Sequence, residues 1–205
     1  MKAKSGERTL LASVLLSSPG PIILGAALFA GRSATQLADF VRRTAELVAM
    51  VVSLVIYRSV HGGELDVVRQ ERLERAAALA VGAAMCLSGA VMVVLALFSS
   101  SQVQGNVVPG LIIAILGVCT NSWFWLRYRK LSRVTQDVIL SAQSRLYAAK
   151  SLVDACVTIA LAFVVIAPNT PAASLIDSAG SAVVAVYLVA AGVSTIRDKQ
   201  MGGVS

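Results

Sequence analysis

The chain has 205 residues, 57% of them hydrophobic and 14% charged, whereas soluble domains run nearer about 45–50% and about 25%. That balance excludes an ordinary soluble domain and points to the lipid bilayer as the chain's surroundings. A net charge of +7 would suit a nucleic-acid partner only if the basic residues formed one face or stripe; they recur instead in clusters between apolar stretches, so no nucleic-acid binding is expected.

A transmembrane helix needs about 20 mainly apolar residues, and stretches of that length follow one another almost end to end. The basic start, Met1 to Arg8, precedes an apolar run in the manner of a signal peptide. That run contains Pro19 and Pro21 and no clear cleavage motif, so it reads as a first span over residues 9–30. The second covers 34–57, the third 75–98, the fourth 107–126, the fifth 138–166 and the sixth 172–196. The expected fold is an all-α membrane protein, a single domain of six transmembrane helices over residues 1–205.

Cytoplasmic loops hold the excess of Lys and Arg. Lys2, Lys4 and Arg8 precede the first span, and Arg58, Arg69, Arg72 and Arg75 fall between the second and third. Arg127, Arg129, Lys130 and Arg133 separate the fourth from the fifth, and Arg197 and Lys199 follow the sixth. All lie on one side, against Arg32 alone on the other. The pattern implies a multi-pass plasma (inner) membrane protein with both termini cytoplasmic. Trp123, Trp125, Tyr128 and Tyr57 sit at cytoplasmic span ends, where aromatic anchors belong. Cys86, Cys119 and Cys156 are scattered through apolar stretches without metal-binding spacing and read as packing residues.

The informative charges are those inside spans. The second span holds Asp39, Arg42, Arg43 and Glu46, and the fifth holds Arg145, Lys150 and Asp154. A charge at the bilayer centre costs roughly 2.5–3.5 kcal/mol on insertion scales, so each needs protein, water or a partner around it. Arg42 and Glu46 are four apart, as are Asp39 with Arg43 and Lys150 with Asp154, a spacing that puts both members on one helical face. Each span can neutralise itself, and where the two faces meet, Arg42, Glu46, Lys150 and Asp154 form a cluster of zero net charge. Such a cluster serves either to fix the two spans in register or as a substrate or proton site.

The string from Gly31 through Ser33, Ala34, Ala38 and Asp39 to Arg42 and Glu46 resembles the second-span signature of the cation diffusion facilitator family. In that signature a Gly-Ser-x-Ala start leads to Ala-Asp, then to a His or Asp ligand and, four residues on, an Asp ligand. Ser141, Lys150 and Asp154 resemble the fifth-span counterpart, where His-x-x-x-Asp is usual. The Glu71-Arg72-Leu73-Glu74 entry to the third span and Asn121 in the fourth are similar to family features, and Asp177 resembles a common family residue expected to cap the sixth helix. The resemblance implies a six-span transporter working by alternating access, with a divalent ion held tetrahedrally by two ligands from each of the two helices. It also implies a homodimer, although the family's C-terminal cytoplasmic domain is not expected here, since only residues 197–205 follow the sixth span.

The departures bear on chemistry. Glu46 and Asp154 remain candidate metal ligands through their oxygens. A guanidinium has no lone pair to donate, and an ammonium ligates only when deprotonated. Arg42 and Lys150 also repel a divalent ion, so the usual zinc site is predicted not to form and no cofactor is expected. The supporting residues of this altered site are Asp39, Arg43, Arg145 and Asn121. The chain reads as a transporter that moves a cation through the site, or alternatively as a transport-inactive relative locked by its salt bridges and acting as a structural or partner-binding membrane protein. No GxSxG, HExxH, Walker A or dinucleotide fingerprint suggests an enzyme. His61, near Glu64 and Asp66, is a solvated loop histidine or a weak peripheral metal site. Ala76, Ala80, Ala83 and Ala84 in the third span, with Ala179, Ala182 and Ala185 in the sixth, permit close helix packing at a dimer contact.

Overall fold

A computed structural model describes residues 2–30, 34–63, 66–98, 108–166 and 171–201. Seven helices make up the described residues: α1 (Lys2–Ser17), α2 (Pro19–Ala30), α3 (Ala34–Gly62), α4 (Val67–Phe98), α5 (Val108–Thr135), α6 (Val138–Ile166) and α7 (Pro171–Met201). The first predicted span is therefore two helices. Pro19 lacks the amide hydrogen that would continue the ladder and its ring crowds the preceding turn, so α1 ends with the Ser18 amide donating to the Val14 carbonyl at 3.0 Å and α2 starts afresh. α1 and α2 share one of the six spans.

Several helices outrun their apolar stretches. At about 1.5 Å per residue, the 32 residues of α4 and the 29 of α3 exceed the roughly 30 Å of a bilayer core. Among the described residues, 67–94 and 138–163 are long and apolar enough by themselves to cross a membrane. α3 is long enough but carries Asp39, Arg42, Arg43 and Glu46 in its first half.

The closest neighbours are α5 with α6 and α4 with α7, then α3 with α4; α1 lies against α3 and α5, and α4 touches α6. α5 and α6 are joined by Gln136 and Asp137 alone. Gln136 takes a φ of 52°, the left-handed conformation that reverses the chain, and Asp137 caps α6 by accepting the Leu140 amide on Oδ1 at 3.0 Å. Asp177 does not cap α7, which begins at Pro171 and so places Asp177 in its second turn.

α4 and α7 approach through glycine. A Cβ added to Gly192 would lie 2.8 Å from the Gly82 carbonyl oxygen, and one added to Gly82 would lie 3.0 Å from that of Gly192. Of the alanines expected at a dimer contact, Ala84 and Ala185 are buried inside the chain, while Ala76, Ala83 and Ala182 are exposed. The side chain of Ala179 lies outside those described.

The buried centre of the bundle is aromatic: Phe124, Tyr128 and Tyr147 stack with centroids 5.0–6.1 Å apart. This corrects the reading of Tyr128 and Tyr57 as interfacial anchors. Tyr128 is fully buried and donates to Ser13 Oγ at 2.8 Å, because the hydroxyl of a buried tyrosine needs an acceptor, and Tyr57 is 1% exposed. Trp123 is exposed, with the Arg127 guanidinium 5.5 Å from its ring centroid, as an interfacial residue would be. The three cysteines are free thiols, Cys119 exposed and the others half-buried.

Candidate functional site

α3 and α6 run antiparallel through the bundle, and a cavity of about 500 Å³ opens between them, the end of α1, the start of α2 and α5. Its charged lining comprises Arg42, Arg43, Glu46, Lys150 and Asp154, joined by Asn121 and the hydroxyl-bearing Ser17, Thr120 and Tyr147. All four principal residues expected at the site thus share one space, with Arg43 and Asn121 beside them. With Arg43 included, three cations face two carboxylates. The side chain of Asp39 lies outside those described.

The pairing differs from the expected one. Lys150 reaches across to α3, its Nζ 3.2 Å from Glu46 Oε2, instead of to Asp154 one turn along its own helix. The second oxygen of Glu46 accepts from Ser88 Oγ of α4 at 3.0 Å. Glu46 is 5% exposed, so a partner on each oxygen is what makes its burial tolerable. Asp154 accepts from Asn121 Nδ2 at 2.6 Å. The spacing of four residues is equally compatible with a pair along one helix or between two. In a bundle the inter-helix pair wins when the charged faces meet, because it places both charges away from lipid.

Gly117 makes room for Asp154. A Cβ there would stand 2.6 Å from Asp154 Oδ2 and 3.0 Å from its Cγ, so α5 can present Asn121 to the carboxylate only with glycine one turn earlier. Tyr147 closes the cavity toward the core: its hydroxyl donates to Met50 Sδ at 3.2 Å and lies 3.4 Å from Ser17 Oγ, and the Lys150 ammonium sits 5.3 Å from its ring centroid. Ser88, Gly117 and Tyr147 escaped sequence reasoning. A lone serine in the apolar run of α4 was the signal for the first; nothing marked the glycine, whose role exists only against another helix.

Arg145 does not belong here. It donates from Nη1 to Thr195 Oγ1 of α7 at 3.5 Å and lines a separate cavity of about 330 Å³ with Ser141, Asp137 and Thr195. Five residues from Lys150, it sits well away from it around the helix. His61 is not a loop residue. In the last turn of α3 it stacks on Tyr57, with centroids 4.2 Å apart, and its Nε2 lies 3.4 Å from Asp137 Oδ2. Burial pushes the Asp137 carboxyl above its ordinary value of 3.8. Glu64 lies outside the described residues, among which no group of three or more His, Cys, Asp or Glu gathers in a metal-binding arrangement.

An all-helical bundle with charged residues gathered in a cavity between two spans defines a polytopic membrane protein of the transporter class. Residues 10–199 match the model of the cation efflux transmembrane domain, and the chain belongs to that family, the cation diffusion facilitators. No curated protein matches the sequence. The family consists of transporters, and the chain is a membrane protein of that kind.

Proposed function

We propose that the protein carries a cation across the plasma membrane by alternating access, using a central site built from Arg42, Glu46, Lys150 and Asp154 in place of the family's zinc ligands. The observation that supports this most directly is the Lys150–Glu46 pair, 3.2 Å long, which bridges α3 and α6 at the wall of a cavity of about 500 Å³. An arriving cation competes with the ammonium for Glu46. Displaced, Lys150 has Asp154 one turn away, and in the empty state its ammonium is the counter-ion of Glu46. The apolar surroundings make each exchange of partners energetically significant.

Three cationic side chains on the lining disfavour a doubly charged ion, and two of the positions that would ligate it are Arg42 and Lys150. The reading therefore carries no resident zinc and favours a singly charged cargo. The one-sided distribution of Lys and Arg supports cytoplasmic termini, and the exposed faces of Ala76, Ala83 and Ala182 leave room for a homodimer contact.

A second reading is favoured by the completeness of the pairing: with both oxygens of Glu46 taken and Asp154 held by Asn121, the spans are locked and the protein is a structural or partner-binding relative. Flux into proteoliposomes separates the two. A panel of monovalent cations, divalent metals and anions is offered to the parent and to Glu46→Gln. Cation uptake above empty vesicles that is lost in Glu46→Gln supports transport; no flux of any ion leaves the locked reading. If the locked reading holds, Arg42→His, Lys150→His and Glu46→Asp together restore metal binding in calorimetry where the parent shows none.

A further inference from the structure

The α3–α6 seam continues from the cavity toward the His61 end of the molecule, and its contacts fix the register. Glu46 meets Lys150, Met50 meets Tyr147, and His61 meets Asp137, so the paired positions advance along α3 as they retreat along α6. That register sets Ser53 level with Gln143. Positions 46, 50, 53, 57 and 61 form one stripe on α3, and 150, 147, 143 and 140 form one on α6.

Ser53 and Gln143 are both fully buried, and among the described residues neither the Ser53 hydroxyl nor either end of the Gln143 amide has a hydrogen-bond partner. Buried polar groups are almost always satisfied, by protein or by ordered water. Three such atoms at one level of one seam offer a donor and acceptors, the set of two to four partners that a buried water requires. The neighbours on both sides are able to pass a proton: the Tyr147 hydroxyl and the Lys150–Glu46 pair above, the Tyr57 hydroxyl and the His61–Asp137 pair below.

We infer that Ser53 and Gln143 form a buried hydration site whose water links the central cavity to the His61–Asp137 pair, making the α3–α6 seam a proton route through that half of the protein. The chemistry is relay along hydrogen bonds, each oxygen accepting one proton and releasing another, with no net change at the site. The route runs through Tyr147, whose hydroxyl passes a proton only by turning from the Met50 thioether, 3.2 Å away, to the water, so the side chain that closes the cavity also gates the proton. The inference does not depend on which ion the cavity carries.

Radiolytic hydroxyl labelling, which reports side chains beside bound water even when they are inaccessible to bulk solvent, tests it on the full chain in proteoliposomes. Proton uptake down an imposed pH gradient, followed with a trapped pH indicator, is measured on the same vesicles. Met50, fully buried, is expected to be labelled in the parent, and the label and the proton uptake are expected to be lost together in Ser53→Ala/Gln143→Leu. Ser53→Ala alone, which removes one atom from a helical position, provides a folded variant with partial loss of both. An unlabelled Met50 in the parent overturns the hydration site without any variant. Labelling unchanged in the variants overturns the role of these two residues, and uptake unchanged when labelling is lost overturns the route.

Discussion

Two helix pairs cross the bundle and are joined in opposite ways. α4 and α7 meet backbone to backbone, with Gly82 and Gly192 each leaving about the width of a missing side chain for the other's carbonyl, and a Cβ at Gly89 would stand 3.1 Å from the Ala185 carbonyl. α3 and α6 approach far less closely and fill the gap with side chains: Glu46 against Lys150, Tyr147 against Met50, His61 against Asp137. A backbone joint has one good arrangement, since any slip puts atoms into each other. A seam of charged and hydroxyl groups has several, because partners of similar strength lie a turn away. Relative motion within the bundle is therefore expected across α3–α6, with α4–α7 moving as one piece.

The sharpest test of the polar seam is Lys150→Met. It removes the ammonium and leaves the Glu46 carboxylate, 5% exposed, with the Ser88 hydroxyl and the charge of Arg42 in the same cavity to offset its burial, a loss of up to about 3–5 kcal/mol for a broken buried pair. The double variant Lys150→Met/Glu46→Leu, which removes both charges, is expected to recover most of it. Unfolding of detergent-solubilised protein measures both, and a single variant as stable as the parent would mean that the pair is hydrated and contributes little.

Gly192→Ala tests the apolar joint. The new methyl would meet Cys86 Sγ at 2.6 Å, the Gly82 carbonyl oxygen at 2.8 Å and the Cys86 amide nitrogen at 3.0 Å. Two of the three atoms are backbone, so the helices must separate, at a cost of about 2 kcal/mol. If α4 and α7 move as one piece, transport falls only as far as stability does.

Gly117→Ala is the intermediate case, small and in the polar region. Its methyl collides with a side chain, the Asp154 carboxylate at 2.6 Å, which can turn aside at a cost of about 1 kcal/mol. Turning aside breaks the Asn121 hydrogen bond, so flux is expected to fall by more than stability does. Equal losses in both would place Asp154 outside the transport step.

These effects follow how the chain could be read. The apolar periods made the all-helical membrane fold legible, because lipid imposes length and apolar content on every segment separately. The charges inside spans singled out Arg42, Glu46, Lys150 and Asp154 for the same reason, each being costly wherever the helix sits, and the fold gathers all four at one cavity. Which charge pairs with which was not legible, since spacing within one helix says nothing of a facing helix, and Lys150 chose Glu46 over Asp154. Gly82, Gly117 and Gly192 were invisible for that reason too. Tyr57 and Tyr128 were misplaced because an amphipathic ring near a span end suits an interface and a buried hydroxyl pocket equally well.

The smallest expected effect lies at the His61 end of the polar seam. Asp137 caps α6, an arrangement Asn supports as well as Asp, so Asp137→Asn keeps the cap and removes only the charge. Burial raises the Asp137 carboxyl above 3.8, so over the interval from that value upward the folded chain holds a proton the unfolded chain has lost. Stability then falls with rising pH, since it rises only where the unfolded state binds more protons. The parent is expected to lose this increment as pH climbs through the interval while Asp137→Asn does not, and the difference in melting temperature should shift steadily in favour of the variant. A difference that shifts toward the parent instead would mean that His61, 3.4 Å away, stabilises the charged carboxylate more than burial opposes it, and that the mouth of the seam is held by an ion pair.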